Sequence, residues 1–275
     1  MSWFSPLAAS HVSCVRTIRR LCLVAVAAFP LGASAAGNEW LGDKTDLVVG
    51  VGAKYAPRYA GADSGRVQAV PVLSVQRGLL VFDTSRGAGI QFQTSSGLYV
   101  SQTLGYDLGR LQRDSDWRPG SAHLAGMGDV PGSLTTRTLL VQKLGPVSLS
   151  AEAEFALRDE ARRNRYRAGA EVAAWTGEND SLSFSADTHW GDRRYNQAYF
   201  GVTADQAARS RFGEFHARSG LYACSLGASW EHRFDAHWAS TLQLTGTRYV
   251  DRVADSSLLE RRNAIAATAA INYTY

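Results

Sequence analysis

The chain has 275 residues, with 29 basic and 25 acidic side chains and a formal net charge of +4. Three arginines and no acids fall in residues 1–35, so the rest of the chain carries 26 basic against 25 acidic residues, a net charge of +1. A body this close to neutral gives no electrostatic footprint for a nucleic-acid partner, and no cofactor motif stands out.

Residues 1–35 read as a secretory signal peptide. Arg16, Arg19 and Arg20 form a basic n-region, Leu21–Phe29 an apolar run of nine residues, and Ala33-Ser34-Ala35 a small-residue cleavage pattern. That run is too short to cross a bilayer as a helix, which takes about 20 residues. The expectation is export to the periplasm, cleavage after Ala35, and one domain over 36–275. Cleavage removes Cys14 and Cys22 and leaves Cys224, so no internal disulfide is available to the exported chain. Closing a β-barrel offers another source of stability, because every strand edge is then paired.

From residue 46 the hydrophobic period is two, and the pattern predicts twelve strands: 46–55, 67–76, 79–84, 87–94, 97–106, 133–143, 146–157, 163–175, 181–192, 219–233, 237–249 and 262–275. In the seventh, Val147, Leu149, Ala151, Ala153, Phe155 and Leu157 alternate with Ser148, Ser150, Glu152, Glu154 and Ala156. In the eighth, Tyr166, Ala168, Ala170, Val172 and Ala174 oppose Arg165, Arg167 and Glu171. In the ninth, Leu182, Phe184, Ala186 and Trp190 oppose Ser181, Ser183, Ser185, Asp187 and His189. The last places Ile265, Ala267, Ala269, Ile271, Tyr273 and Tyr275 on one face.

A soluble barrel alternates too, with the apolar face inward. The connections separate the two cases: 56–66, 107–132, 193–218 and 250–261 are long and lie at one end, while the turns at the other end are short, the pattern of outer-membrane barrels. Tyr55, Tyr106, Trp175, Trp190, Trp230, Trp238, Tyr249 and Tyr273 sit near strand ends, where interfacial rings are expected. The fold class is therefore all-β, an antiparallel transmembrane β-barrel of about twelve strands among outer-membrane lipids. Ten strands is the alternative if 79–94 is one bent strand.

Three segments resemble the MipA/OmpV family of MltA-interacting proteins: Gly50 to Asp63, "GVGAKYAPRYAGAD"; His123 to Val130, "HLAGMGDV"; and Tyr199 to Ser210, "YFGVTADQAARS". The resemblance runs over essentially the whole chain after residue 35. It departs at Arg211, at Phe215 and over Ala254 to Arg262. It implies an outer-membrane barrel acting as a scaffold between a periplasmic murein transglycosylase and a murein synthase in envelope maintenance. Some members are described as porin-like, so a small-solute channel is the alternative.

Two groups of residues are candidates for function. Glu152, Glu154, Arg165, Arg167 and Glu171 face the lumen, either as a selective constriction or as an ion-pair network filling a narrow barrel. The insert Asn196 to Phe215 lacks strand alternation. Thr203 is placed to N-cap a short helix from Ala204, with Gln206 in its first turn. Such a helix is too short to stand alone and must dock. Tyr199, Phe200, Phe212 and Phe215, in a loop that includes Gly201 and Val202, supply packing for a plug in the barrel mouth; the alternatives are a surface read by another protein and an ordinary loop.

Catalytic and metal readings are weaker. Asp187 and His189 share a face with many serines, but no nucleophile-elbow pattern accompanies them. His123, His189, His216, His232 and His237 lack ligand spacing, although His232 and His237 flank one turn. The expectation is no enzyme activity, no metal and no cofactor.

Overall fold

Strands that are apolar on one face and polar on the other must bury one face and give the other a matching solvent. The computed structural model shows how this chain does it. It describes residues 41–42, 44–158 and 163–275, so the expected signal peptide and the expected cleavage after Ala35 lie outside the described residues.

Twelve strands form: β1 (Thr45–Pro57), β2 (Gly65–Arg77), β3 (Leu80–Asp83), β4 (Gly87–Gln93), β5 (Leu98–Asp107), β6 (Ser133–Leu144), β7 (Val147–Ala156), β8 (Asn164–Thr176), β9 (Asp180–Gly191), β10 (Gly220–Arg233), β11 (Trp238–Tyr249) and β12 (Asn263–Thr274). Each pairs antiparallel with its sequence neighbours, and β1 pairs with β12, so the sheet closes into a barrel without free edges. Most strands run 10 to 14 residues, enough to cross a bilayer when tilted.

The seam between β1 and β12 is tight. A side chain at Gly50 would collide with the carbonyl of Ile271, and one at Gly52 with that of Ala269, so these glycines are close-packing residues.

The region 79–94 is two strands, not one. The Asp83 carboxylate accepts from the Ser85 and Arg86 backbone N–H groups at 2.8 and 3.0 Å and from the Ser85 hydroxyl, folding a three-residue turn between β3 and β4. This local Asx-type turn decides for twelve strands over ten.

The outward faces are apolar. Val67 is 69% exposed and Leu226 70%, with Val51, Leu104, Leu134, Leu244 and Ile265 also exposed around the wall. A band like this suits lipid, and its rims carry rings: Tyr55, Tyr106 and Tyr166 at one end, Trp175, Trp230, Trp238 and Tyr275 at the other. Tyr249 is an exception to the expected girdle. It points inward, 5% exposed, because it closes over the segment that fills the mouth.

Two bulges break the alternation. At the first, Ala173 and Trp175 pair with consecutive residues of β9, which turns the Trp175 ring outward. At the second, Tyr222 is the extra residue between Leu221 and Ala223 and is turned into the barrel.

Candidate functional site

The buried apolar core lies largely in the loops. Segments 58–64, 108–132, 192–219 and 250–262 all leave the same end of the barrel and converge there. The segment 192–219 contains two helices, α1 (Arg193–Phe200) and α2 (Ala204–Arg209).

The Asp192 carboxylate caps α1 by accepting from the Tyr195 N–H at 2.6 Å. The helix packs into the mouth, with Tyr195, Asn196, Tyr199 and Phe200 buried. The Tyr195 ring lies 5.4 Å from that of Tyr222, and the Phe200 ring 5.6 Å from Tyr222 and 5.8 Å from Tyr249. Across the barrel, the Tyr199 hydroxyl donates to Asp107 at the end of β5, at 3.1 Å. Arg110 donates to the Tyr199 carbonyl at 2.7 Å, and burial pushes its guanidinium down to about 10. Burial likewise raises the phenols of Tyr195 and Tyr199.

Thr203 caps α2 in a full capping box. Its hydroxyl accepts from the Gln206 N–H at 3.3 Å, and the Gln206 carbonyl oxygen accepts from the Thr203 N–H at 2.9 Å. The Gln206 amide also donates to the Met127 carbonyl at 2.7 Å, tying α2 to the 108–132 loop.

After Gly201, the backbones of Val202 and Phe215 pair, and Val202 and Phe212 pack with Tyr59, Leu124, Met127 and Leu258; Phe215 is half-buried against them. The Tyr59 hydroxyl donates to the Leu258 carbonyl at 2.9 Å, and the Glu260 carboxylate meets both Tyr59, at 3.0 Å, and His123 Nδ1, at 3.0 Å. Tyr199 and Phe200 thus pack in one cluster with Tyr222 and Tyr249, Val202 and Phe212 in a second with Phe215 against it, Gly201 is buried between them, and Thr203 and Gln206 sit outside both at the start of α2, Thr203 exposed. The sequence expectation leaves Arg193–Phe200 inside a long connection; in the structure it is a helix whose buried residues 195, 196, 199 and 200 share one face, a period too short in extent to stand out within two turns.

Below this core lies a layer of charge. Register sets Glu154 opposite Arg165 and Arg137, and Glu152 opposite Arg167. Arg165 holds Glu154 at 2.5 Å, Arg137 holds Glu154 at 3.1 Å and Glu152 at 3.3 Å, and Arg167 bridges Glu152 at 3.2 Å and Asp187 at 2.7 Å. Among the described residues these three guanidiniums meet three carboxylates, so the charges balance within this set. Glu171 is not part of it: its strand partners are Ser148 and Ser185, and it makes no ion pair among the described residues. Arg137 and Asp187 take the place the sequence reading gave Glu171, because β6 and β9 flank the pair β7–β8.

His189 Nε2 lies 2.8 Å from Ser225 Oγ, both groups buried, while Asp187 is held by Arg167. His232 Nδ1 meets Asp180 at 2.9 Å and His237 stacks on Tyr273, so the two turn histidines face different partners.

Accessibility along the lumen changes sharply. Toward the loops, inward residues such as Thr103, Thr135, Arg137, Glu154, His189 and Ser225 are buried. Toward the short turns, Ser148, Ser150, Ser183, Ser185, Ser229 and Thr241 are only partly covered. On β7 to β11 the lumen is therefore more covered toward the loops than toward the short turns, whereas Val81, Gln91 and Ser101 are buried close to the short turns of β3, β4 and β5.

The sequence profile of the MltA-interacting protein MipA family matches residues 49–275, nearly all of this barrel and its loops. The chain belongs to that family. This MipA-family chain is an outer-membrane β-barrel, and its apolar outer wall agrees with that. No curated protein sequence matches it. Among solved structures, it is similar to an outer membrane channel from Pseudomonas putida F1, at 12% identity and a TM-score of 0.44, over 88% of this chain and 100% of that one. It is also similar to an anion-selective porin from Comamonas acidovorans, at 8% identity and a TM-score of 0.36, over 84% and 99% of the two chains.

Proposed function

We propose that this MipA-family barrel is a scaffold in the outer membrane for murein-cleaving and murein-synthesising enzymes, and that it performs no chemistry itself. In this reading the long loops face outward and the short turns face the periplasm, where such enzymes work. The observation that carries it is the buried loop core at the mouth, which among the described residues covers a layer of buried ion pairs. The family description names an MltA-interacting protein, and we carry that partnership with a murein transglycosylase over to this chain. The periplasmic contact surface is then the rim of short turns, such as Gly145-Pro146 and 177–179.

A small-solute channel is the second reading. The partly covered lumen serines toward the short turns of β7, β9 and β10 favour it, but it needs the loop core to move aside. Conductance of the refolded barrel in a planar bilayer, paired with capture of purified transglycosylase and synthase, tests both. The scaffold reading expects no steady conductance and capture that is lost when the short turns are replaced. Steady conductance without capture would put the channel first.

A further inference from the structure

The lipid-facing wall contains one group that lipid does not suit. On β5, Ser101 and Thr103 are buried toward the lumen and Leu104 is exposed outward, so Gln102 points out as well, midway along a strand of ten residues. On β6, Thr136 and Thr138 lie on the same outer face, between Leu134 and Leu140. Gln102 Nε2 donates to Thr136 Oγ1 at 2.5 Å, and Thr138 Oγ1 donates to Gln102 Oε1 at 2.5 Å. The three side chains form a polar island enclosed by Ile90, Leu104, Leu134, Leu140 and Phe155.

A primary amide has two N–H donors and two acceptor positions. The bonds to the threonines use one of each. Among the described residues nothing else bonds to this amide, and Gln102 is exposed on the hydrocarbon side, where no water is available and a lipid tail offers no partner. At this depth only another protein wall supplies polar groups, and polar side chains hold membrane segments together there.

We propose that this face is the contact between two copies of the chain. The donor and acceptor left over on Gln102 are self-complementary. A two-fold axis beside β5 lets each amide donate to the carbonyl of the other, the isologous arrangement of a symmetric dimer. Beside the island, Ala151 and Ala153 on β7 pair with Leu140 and Thr138 and keep the wall low, so a second barrel can approach closely. The contact lies in the membrane and leaves the short turns open.

The test keeps Gln102 and places a cysteine beside it, at Leu104 on the same outer face of β5. Cys224 also lies on a strand, so the background is Cys224→Ser. In the exported protein in lipid bilayers, oxidation of Leu104→Cys should give a covalent dimer, and Leu244→Cys on the outer face of β11 should not. No dimer, or equal dimer at both positions, overturns the proposal. The molecular mass in mild detergent is the second readout. The wild type should have twice the mass of one chain and Gln102→Leu half of that, with the heat-modifiable gel mobility of a folded barrel retained. A wild type of single-chain mass, or a complex completed by a different protein, overturns it equally.

Discussion

Arg165 and Glu154 stand directly opposite each other across the β7–β8 seam, and two guanidinium nitrogens of Arg165 reach the same carboxylate oxygen, at 2.8 and 2.5 Å. Arg137 reaches that oxygen from the other side at 3.1 Å. Glu154 is thus the carboxylate that keeps two buried arginines apart.

Glu154→Gln should therefore destabilise the barrel more than a single lost hydrogen bond would. It leaves Arg137 and Arg165 facing one another in a buried layer, and breaking such a pair costs about 3 kcal/mol or more. The expected outcome is a lower temperature for loss of the compact gel band. Glu154→Leu combined with Arg165→Met should recover most of that loss, because apolar replacement removes both desolvation costs.

Phe200 fills the space between Tyr222 and Tyr249 and is completely buried. Phe200→Ala should cost about 3 kcal/mol, borne by the loop core while strand pairing stays intact. Hydrogen exchange should quicken in α1 with little change in β1 to β12. In a planar bilayer this variant, or one with 196–215 shortened, should conduct where the wild type does not. Unchanged exchange in α1 would show that the helix is held from elsewhere.

Thr203→Ala removes the capping box of a six-residue helix and should weaken it by about 1 kcal/mol. Limited proteolysis should then cut within 204–209 faster than in the wild type, and Thr203→Ser should restore resistance. The effect should reach the 108–132 loop, since Gln206 links the two.

His123 gives the loop core a pH dependence. Burial, together with the Arg211 charge, outweighs the attraction of Glu260 and Asp63 and holds the imidazole below its ordinary value of 6.5. The docked loops therefore favour neutral His123, whose Nδ1–H donates to Glu260. Its contribution is present above pH 6.5 and is lost as the pH falls through the lowered value. Proteolysis of 108–132 should accelerate on acidification below about pH 6, the ordinary histidine range. His123→Gln should flatten that response.

Much of the fold was legible because lipid and lumen impose opposite polarity on alternate residues. The faces of β7 and β9, and of β8 as far as Val172, follow directly, and all twelve strands begin and end within two residues of the positions the pattern predicts. The lumen layer was legible in part. Glu152, Glu154, Arg165 and Arg167 meet because neighbouring strands in a hairpin have a register set by a short turn. Arg137 was not singled out, since a lone arginine on β6 gains meaning only when the register brings it opposite Glu154. Tyr222 was hidden by a bulge, which reverses the face that strict alternation assigns.

The local code, meaning side-chain period, turn residues and the cap at Thr203, was sufficient for the lipid-facing side, the start of α2 and a strand number of twelve or ten, which the Asp83 turn resolves to twelve. These depend on contacts between residues close in the chain. The closed mouth depends on Tyr59, Leu124, Phe212 and Leu258 meeting from four loops far apart in sequence. No local pattern encodes that meeting. It arises because barrel closure brings all four loops to one rim, where their apolar side chains have only one another to bury against.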